Sequence, residues 1–244
     1  MDFAADSIHG VLFVEPGSIQ NDALHLWDVL YPGERPTAFQ LNPSTPALQS
    51  SASAERNGIS VNIVTQVGRI ELIMVGIPDT DAGVPTTVPR ITNYETAMAV
   101  AVKQLQTLAD SHQVTRVSTV LDLGKTVHPG SEVDEIHKII GRDVFPAGMG
   151  DLIFQMNSRR QFDTIPSLTM NRLCTCSSGI AGVFNTQPGL TVPIPVATSP
   201  YVGVKLDINS DPQQRLTKSS VNEAIHEVGQ EALRIGRHGL SVLQ

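Results

Sequence analysis

One order of predicted elements occurs twice along this chain, and it constrains the fold more than any other feature. A strand and a short helix are followed by several strands and then by a long amphipathic helix. In the first half, apolar runs, alternation and helical spacing predict these elements at residues 9–15, 19–31, 39–41, 59–65, 69–77 and 94–109. Residues 59–65 and 69–77 flank a turn, so we expect them to form a hairpin.

The same order begins again after residue 113. Strands are predicted at residues 115–123, 151–162, 164–176, 180–184 and 201–208, with a short helix after Ser131 and a closing helix after Ser220. The two long helices are predicted to begin with capping boxes, Thr92 with Glu95 and Ser220 with Glu223. Residues 44–54, 78–89 and 188–200 are predicted links or loops rich in Ser, Thr, Ala or Pro, of a length typical of functional segments.

This order predicts an α+β fold made of two duplicated halves, residues 1–113 and 114–244, which pack as one pseudo-twofold unit around a common core. We expect a mostly antiparallel, curved sheet with the long helices on one face and the other face available to a partner. The order β-α-β(3-4)-α, present twice, resembles that of TATA-binding-protein-like and other folds in which helices cover a curved sheet. The resemblance concerns topology and implies no function.

Composition excludes several classes of function. The chain has 17 Lys and Arg against 24 Asp and Glu, a formal net charge of −7, and no basic run longer than Arg159-Arg160, so we expect no binding to duplex nucleic acid. Aromatic residues make up 5%, too few for a surface on which single-stranded bases stack. No apolar stretch approaches the roughly 20 residues of a membrane helix, and the N-terminus lacks a leader pattern. Because the only two cysteines are separated by a single residue, we predict a reducing compartment and a cytoplasmic protein.

The C-terminal part of the chain resembles a known family. The run Lys205-Leu206-Asp207-Ile208-Asn209, a polar loop and a capped amphipathic helix containing Ile225-His226 are similar to the end of a sporadically distributed, functionally uncharacterised bacterial family of similar length. The resemblance is close over this strand and helix, and elsewhere it concerns only the order of elements. It implies a bacterial protein and supplies no activity.

Two groups of acidic and imidazole side chains are candidates for chemistry. His128, Asp134 and His137 form the densest ligand-type group, because Asp134 and His137 are three residues apart on one helix. Such a group suits a metal or acid-base site, and the alternative is an ordinary solvated helix face. Asp122 and Asp207 each lie near the end of a strand in corresponding positions, so they form either a facing carboxylate pair or the ends of their own strands.

Arginines form the candidate binding group. Arg159 and Arg160 interrupt one predicted strand and Arg172 lies on a possible neighbour, where they suit an anionic ligand or an acidic group of a protein. Alternation sends Arg159 and Arg160 to opposite faces, so at most one of them lines a shared surface. Cys174 and Cys176 point to one face of a strand, but no second pair of zinc ligands appears.

No signature of a dinucleotide site, a serine hydrolase or a zinc protease occurs in the chain. We therefore predict a non-catalytic, cytoplasmic binding or assembly protein that needs no cofactor or metal. It would bind a protein partner, or form a homo-oligomer, through its sheet or edge strands. The alternative is an enzyme or small-ligand binder whose polar pocket lies between the halves and uses Asp122, His128, His137 or Asp207.

Overall fold

The computed structural model describes residues 2–15, 17, 19, 22–42, 49–78, 88–185 and 194–243. Within these residues the chain is an α+β protein with four helices and nine strands. In chain order they are β1 (Ala4–Val14), α1 (Ala23–Leu30), β2 (Ala38–Leu41), β3 (Ser50–Arg56), β4 (Ile59–Gln66), β5 (Arg69–Gly76), α2 (Tyr94–Asp110), β6 (Val114–Thr126), α3 (Glu132–Ile140), β7 (Ile153–Gln161), β8 (Thr169–Asn185), β9 (Ile194–Ser210) and α4 (Val221–His238). No helix in this part of the chain is both long and apolar enough to cross a bilayer.

The strands form one antiparallel sheet in the order β2-β3-β4-β5-β1-β6-β9-β8-β7. β1 and β6 lie side by side near its centre, where Ile8 is opposite Leu121. β5 flanks β1 and β9 flanks β6. The strands before residue 113 therefore occupy one side of the sheet and the later strands the other, and the predicted antiparallel sheet is confirmed.

Alternation explains why the strands form where their sequences predict them. In β4, Val61, Ile63 and Thr65 are buried while the residues between them are partly exposed. The chain then turns at Gly68, whose φ of +69° favours glycine. β4 pairs with β5 in register, with Ile63 opposite Leu72, which confirms the predicted hairpin.

Two glycines allow the long helices to pack closely. The predicted apolar face of α2 is buried, as its periodicity indicates. A Cβ at Gly10 of β1 would lie 2.3 Å from a methyl carbon of Leu105, so only glycine lets this part of α2 lie on the strand without displacing Leu105. A Cβ at Gly229 of α4 would lie 2.6 Å from a methyl carbon of Val102. Full burial of each large apolar side chain at these contacts contributes about 1.5–3 kcal/mol to the free energy of folding.

Neither predicted capping box forms. α2 begins at Tyr94, as predicted, but its N-cap is Asn93 and not Thr92, and the Asn93 side-chain oxygen accepts from the Thr96 amide at 3.3 Å. Glu95 instead accepts two hydrogen bonds from the guanidinium of Arg237, at 2.6 and 2.7 Å. Ser220 occupies the N-cap of α4, but its hydroxyl donates to the Thr217 carbonyl at 2.9 Å and caps no helical amide.

Two strand predictions also differ from the structure. Residues 50–54 of the segment predicted as a Ser/Ala-rich link belong to β3, a strand of mostly small side chains that lies between β2 and β4. The candidate strands at 164–176 and 180–184 are one continuous strand, β8, and part of the predicted proline-rich loop is the start of β9. Proline is tolerated there because a strand edge without a neighbour requires no N–H donor. Residues 44–48, 79–87 and 188–193 of the predicted links and loops lie outside the described residues.

Buried apolar residues from the strands before residue 113 and from those after it form one continuous cluster. It joins side chains of all four helices to the strands, and its largest fully buried side chain is Trp27, whose indole N–H donates to the Glu34 carbonyl at 3.0 Å. The interior is therefore shared between residues 1–113 and 114–244.

Candidate functional site

The most distinctive surface feature is a two-stranded extension of the sheet, which we call the arm. It consists of residues 179–185 of β8 and residues 194–200 of β9. β7 begins at Ile153, opposite Ser177, and β6 ends at Thr126, opposite Tyr201. One further backbone hydrogen bond follows on each side, from Ser178 to the Leu152 carbonyl and from Val127 to the Pro200 carbonyl. Beyond these, the two strands pair only with each other within the described residues.

The arm lies within a stretch that contains no charged residue. Between Arg172 and Lys205 the sequence has no Asp, Glu, Lys, Arg or His, although 17% of the whole chain is charged. The side chain of Ile180 is 77% exposed on the arm, and that of Ile153 at its base is 71% exposed. A projecting surface of this kind is unusual for a monomer, because exposed apolar patches commonly mark interaction sites.

The two edges of the arm are chemically different. On β9, Pro195 and Pro200 have no N–H to offer a further strand. The Pro200 carbonyl accepts from the Val127 amide at 3.0 Å, so this residue directs its backbone groups away from β8. On β8, residues 179–185 include neither proline nor charge, the two devices by which edge strands usually avoid pairing. The β8 edge is therefore the one that is competent to pair.

Tyr201 fixes the base of the arm to the body of the protein. Its ring packs over Gly124, where a Cβ would lie 2.3 Å from the ring, and its hydroxyl donates to the carboxylate of Asp6. The Arg90 guanidinium lies 5.3 Å from the centre of the ring and donates to Asp6 at 2.8 Å. Burial and the hydrogen bond to Asp6 raise the pKa of Tyr201 far above its ordinary value, so it remains a neutral donor.

The cavity beside the arm completes this corner of the molecule. It has a volume of about 310 Å³ and is lined by the arm base, the start of α3 and the segment around Gly150. Met149 and Ile180 are both in its wall, and both are exposed. The arm itself carries no charge, whereas Glu132 and Asp151 are also in the wall of the cavity, on the side of the body.

The predicted arginine group is divided between two roles. Arg160 and Arg172 converge on Glu231 of α4, at 3.6 and 3.1 Å, so they join β7 and β8 to that helix. Arg159 is exposed and lies 3.9 Å from Asp211. The Glu231 carboxylate is 2% exposed and also accepts from Arg234 at 2.7 and 2.8 Å. These contacts occupy Arg160 and Arg172 within the protein.

Glu227 and Glu231 are residues that the sequence reasoning missed. Glu227 accepts from the amides of Asp163 and Thr164, at 2.6 and 3.2 Å, and thereby holds the turn between β7 and β8. The signal was present, because Glu231 is three residues after Val228 and so falls on the apolar stripe of α4. A carboxylate at a core position indicates a buried partner.

The imidazole group does not come together as a ligand set. His137 Nε2 accepts from the amides of Val144 and Phe145, both at 3.1 Å, and its Nδ1 lies 3.1 Å from Asp143. That ring therefore holds the segment after α3. The side chains of His128 and Asp134 are exposed, and the described part of the chain contains no group of three or more His, Cys, Asp or Glu placed to hold a metal ion.

Asp122 and Asp207 lie on adjacent strands, two residues out of register with each other. In the register of β6 with β9, Asp122 is opposite Lys205 and Asp207 is opposite Val120. Asp122 accepts from the Ser7 hydroxyl at 2.9 Å. Asp207 accepts from Ser118 and Asn209, each at 2.9 Å. Each carboxylate therefore belongs to a separate set of cross-strand hydrogen bonds.

The two cysteines are free and buried. Burial raises the pKa of the Cys174 and Cys176 thiols to about 12. Thiols with such values remain protonated at neutral pH and are poor nucleophiles and poor metal ligands.

Comparisons with protein-family models, with curated proteins and with solved structures gave no significant match to this chain. The resemblance of its closing strand and helix to a bacterial family therefore stays a prediction, and no relative assigns a role to the arm.

Proposed function

We propose that this protein is a non-catalytic assembly protein that forms a homodimer through the arm. The observation that carries the proposal is the edge of β8, which has no neighbouring strand along residues 179–185 in the part of the chain that is described. A two-stranded ribbon by itself is at best marginally stable in water. Addition of further strands to its open edge satisfies backbone groups and covers apolar side chains.

A second copy of this chain is the partner that fits the edge. Two β8 strands can pair antiparallel about a twofold axis near Gly182, with residue 179 of each opposite residue 185 of the other. Twofold dimers of this self-complementary kind are the commonest protein oligomers. Each copy carries a formal charge of −7, so two copies repel each other least where neither is charged, and the arm is such a place.

The same proposal includes how the two halves are arranged. We infer that residues 1–113 and 114–244 are duplicated units related by a pseudo-twofold axis between β1 and β6. The strand order supports this arrangement, because each central strand lies beside the last strand of its own half: β1 beside β5, and β6 beside β9. We further infer that the long helices lie on one face of the sheet, because α2 contacts β1 and α4, and α4 contacts β6. Two free thiols close to one another support a cytoplasmic location.

Backbone direction provides a matched pair of variants to test the dimer. Because the groups of Pro200 point away from β8, those of Ile180, which is opposite it, point away from β9. Two positions further on, Gly182 and Thr198 also face outward, one on each edge of the arm. Gly182→Pro therefore removes an N–H from the β8 edge, whereas Thr198→Pro removes one from the β9 edge.

The test is the molar mass in solution, measured by light scattering after gel filtration over a range of concentrations. We expect the wild type and Thr198→Pro to have twice the 26.2 kDa mass of one chain, and Gly182→Pro to shift to the monomer. Melting temperatures at low concentration check that both variants fold. A wild-type monomer at high micromolar concentration, or equal dissociation constants for the two variants, contradicts the proposal.

A further inference from the structure

A second cavity lies far from the arm in sequence, and its lining comes entirely from residues 31–104. It has a volume of about 540 Å³ and lies between the end of α1, one face of α2 and strands β4 and β5. That volume is within the range of pockets that bind small molecules. It is not the pocket between the halves that the sequence suggested, because no residue after 104 is among its described lining.

The charge of the lining is opposite to that of the whole protein. Two arginines, Arg56 and Arg90, line the cavity, and no acidic residue is among its described lining residues. Arg90 is held from outside by Asp6. Arg56 donates from both terminal nitrogens to Glu34, whose carboxylate is exposed to water, and the remaining N–H groups of the guanidinium are not used by this pair. An anion that enters the cavity therefore finds two guanidinium groups with donors left over.

Tyr31 offers a specific donor in the same wall. The side chain is buried, and its hydroxyl accepts from Gln104 Nε2 at 2.6 Å. Gln104 is the single hydrogen-bond partner of this hydroxyl among the described residues, and because Gln104 donates, the Tyr31 proton has no acceptor there. Gln104 Oε1 is likewise buried without a partner. The Arg56 guanidinium lies 4.0 Å from the centre of the Tyr31 ring. Burial raises the pKa of Tyr31 above its ordinary value, so the hydroxyl keeps its proton at neutral pH.

The rest of the cavity is apolar. Ile59 and Val61 of β4, Met74 of β5 and Val100 of α2 line it. Along α2 the lining runs from Asn93 to Gln104, a distance of about 16 Å at the rise of an α-helix. The space is therefore elongated, with polar residues at the two ends of the helical wall and apolar residues between them.

We propose that this cavity binds a small anionic amphiphile, of the class of medium-chain carboxylates. The carboxylate accepts from the Tyr31 hydroxyl and from Arg56, and the alkyl chain lies against Val61, Met74 and Val100. The carboxylate of this ligand gives the Tyr31 hydroxyl an acceptor for its proton, and the alkyl chain covers apolar surface in a cavity that is open to water. The site is independent of the arm and of the proposed dimer.

Decanoate, used below its micellar concentration, is the probe that tests the site. Its binding to the full chain is measured by calorimetry and by the NMR signals of ¹³C-methyl-labelled methionines. We expect saturable binding that shifts the signal of Met74, which lines the cavity, and leaves that of the buried Met170 in β8 unchanged. Decyltrimethylammonium has the same chain and the opposite charge, so it should bind at least tenfold more weakly, about 1.4 kcal/mol.

Three variants locate the binding. Tyr31→Phe keeps the ring and removes the donor, so decanoate should bind about tenfold more weakly. Val100→Trp fills the channel from an exposed position and should abolish binding. Thr107→Trp places the same side chain on an exposed part of α2 outside the cavity and should bind like the wild type. No shift at Met74, equal binding of the cationic amphiphile, or undiminished binding by Val100→Trp overturns the proposal.

Discussion

Replacement of Glu231 by glutamine tests how α4 is attached to the outer strands of the sheet. Its carboxylate is almost completely buried and receives hydrogen bonds from Arg172 and Arg234, with Arg160 at 3.6 Å. Burial alone raises the pKa of Glu231, but the hydrogen bonds from Arg234 and Arg172 and the charge of Arg160 outweigh it, so the pKa lies below its ordinary value. The carboxylate is therefore charged in the folded protein at neutral pH.

The magnitude follows from the partner that remains. Arg172 is 8% exposed, so Glu231→Gln leaves a buried guanidinium without a counter-charge, whereas Arg160 and Arg234 retain access to water and contribute less. Breaking a buried ion pair costs about 3–5 kcal/mol. With two of the three arginines partly exposed, we expect about 3 kcal/mol, which lowers the melting temperature of a chain of this length by roughly 6–12 °C.

Urea unfolding at neutral pH measures the change, at one fixed protein concentration because the proposed dimer would make the apparent stability depend on concentration. Glu95→Gln is the matched control, since Glu95 also accepts two hydrogen bonds from an arginine, Arg237, but on the exposed surface; little change is expected. Glu231→Leu combined with Arg172→Met should regain most of the lost stability, because an apolar pair can replace a buried ion pair. Equal effects of Glu231→Gln and Glu95→Gln would refute the reasoning.

The sign of the pH dependence follows from the direction of the pKa shift. A depressed pKa in the folded state means that Glu231 stabilises the protein above its unfolded-state pKa of about 4.3. That contribution is lost as the pH falls through the folded-state pKa. The stability difference between the wild type and Glu231→Gln should therefore be constant from pH 6 to 8 and decrease in acid.

Two further predictions concern the interior. Gly10→Ala should destabilise the protein by about 1–3 kcal/mol, because the new Cβ forces Leu105 out of its position; urea unfolding checks it, with Gly150→Ala as the control, since a Cβ there meets nothing within 4 Å. Cys174 and Cys176, whose pKa is raised to about 12 by burial, should resist iodoacetamide at pH 8 in the folded protein and react in urea. Labelling of the folded protein at the rate of the unfolded chain would contradict that expectation.

The fold could be predicted from sequence wherever one face of an element is buried. The apolar face of α2 and the alternation of β4 and β5 are recognisable in the sequence because the buried face of each element carries apolar residues and the exposed face carries polar ones. β3 was missed because its Ser- and Ala-rich sequence lacks that contrast, and its place is decided by the strands on either side. The N-cap of α2 was misplaced by one residue because Thr92 and Asn93 compete locally for the same amides.

The arrangement of the candidate sites depended on register, which no local pattern contains. Arg160 and Arg172 meet at Glu231 only because β7, β8 and α4 adopt one relative position, whereas sequence spacing suggested a surface that binds ligands. His137 has ligand chemistry, but the turn after α3 occupies both ring nitrogens. The uncharged stretch that contains the arm was visible in the sequence, and its meaning required the knowledge that two other strands end before it does.

The sequence of the arm is not explained by the contacts that stabilise the rest of the protein. The core cluster and the Glu231 network lie within the layered part of the molecule, whereas residues 179–185 pair with no third strand among those described. A solvated extension with no other role is expected to carry charge or proline on both edges, as β9 does with Pro195 and Pro200. The β8 edge has neither, and in the proposed dimer its apolar and uncharged residues would be covered by a second chain. A second copy provides that cover with the fewest assumptions, because the same edge supplies both sides of the interface.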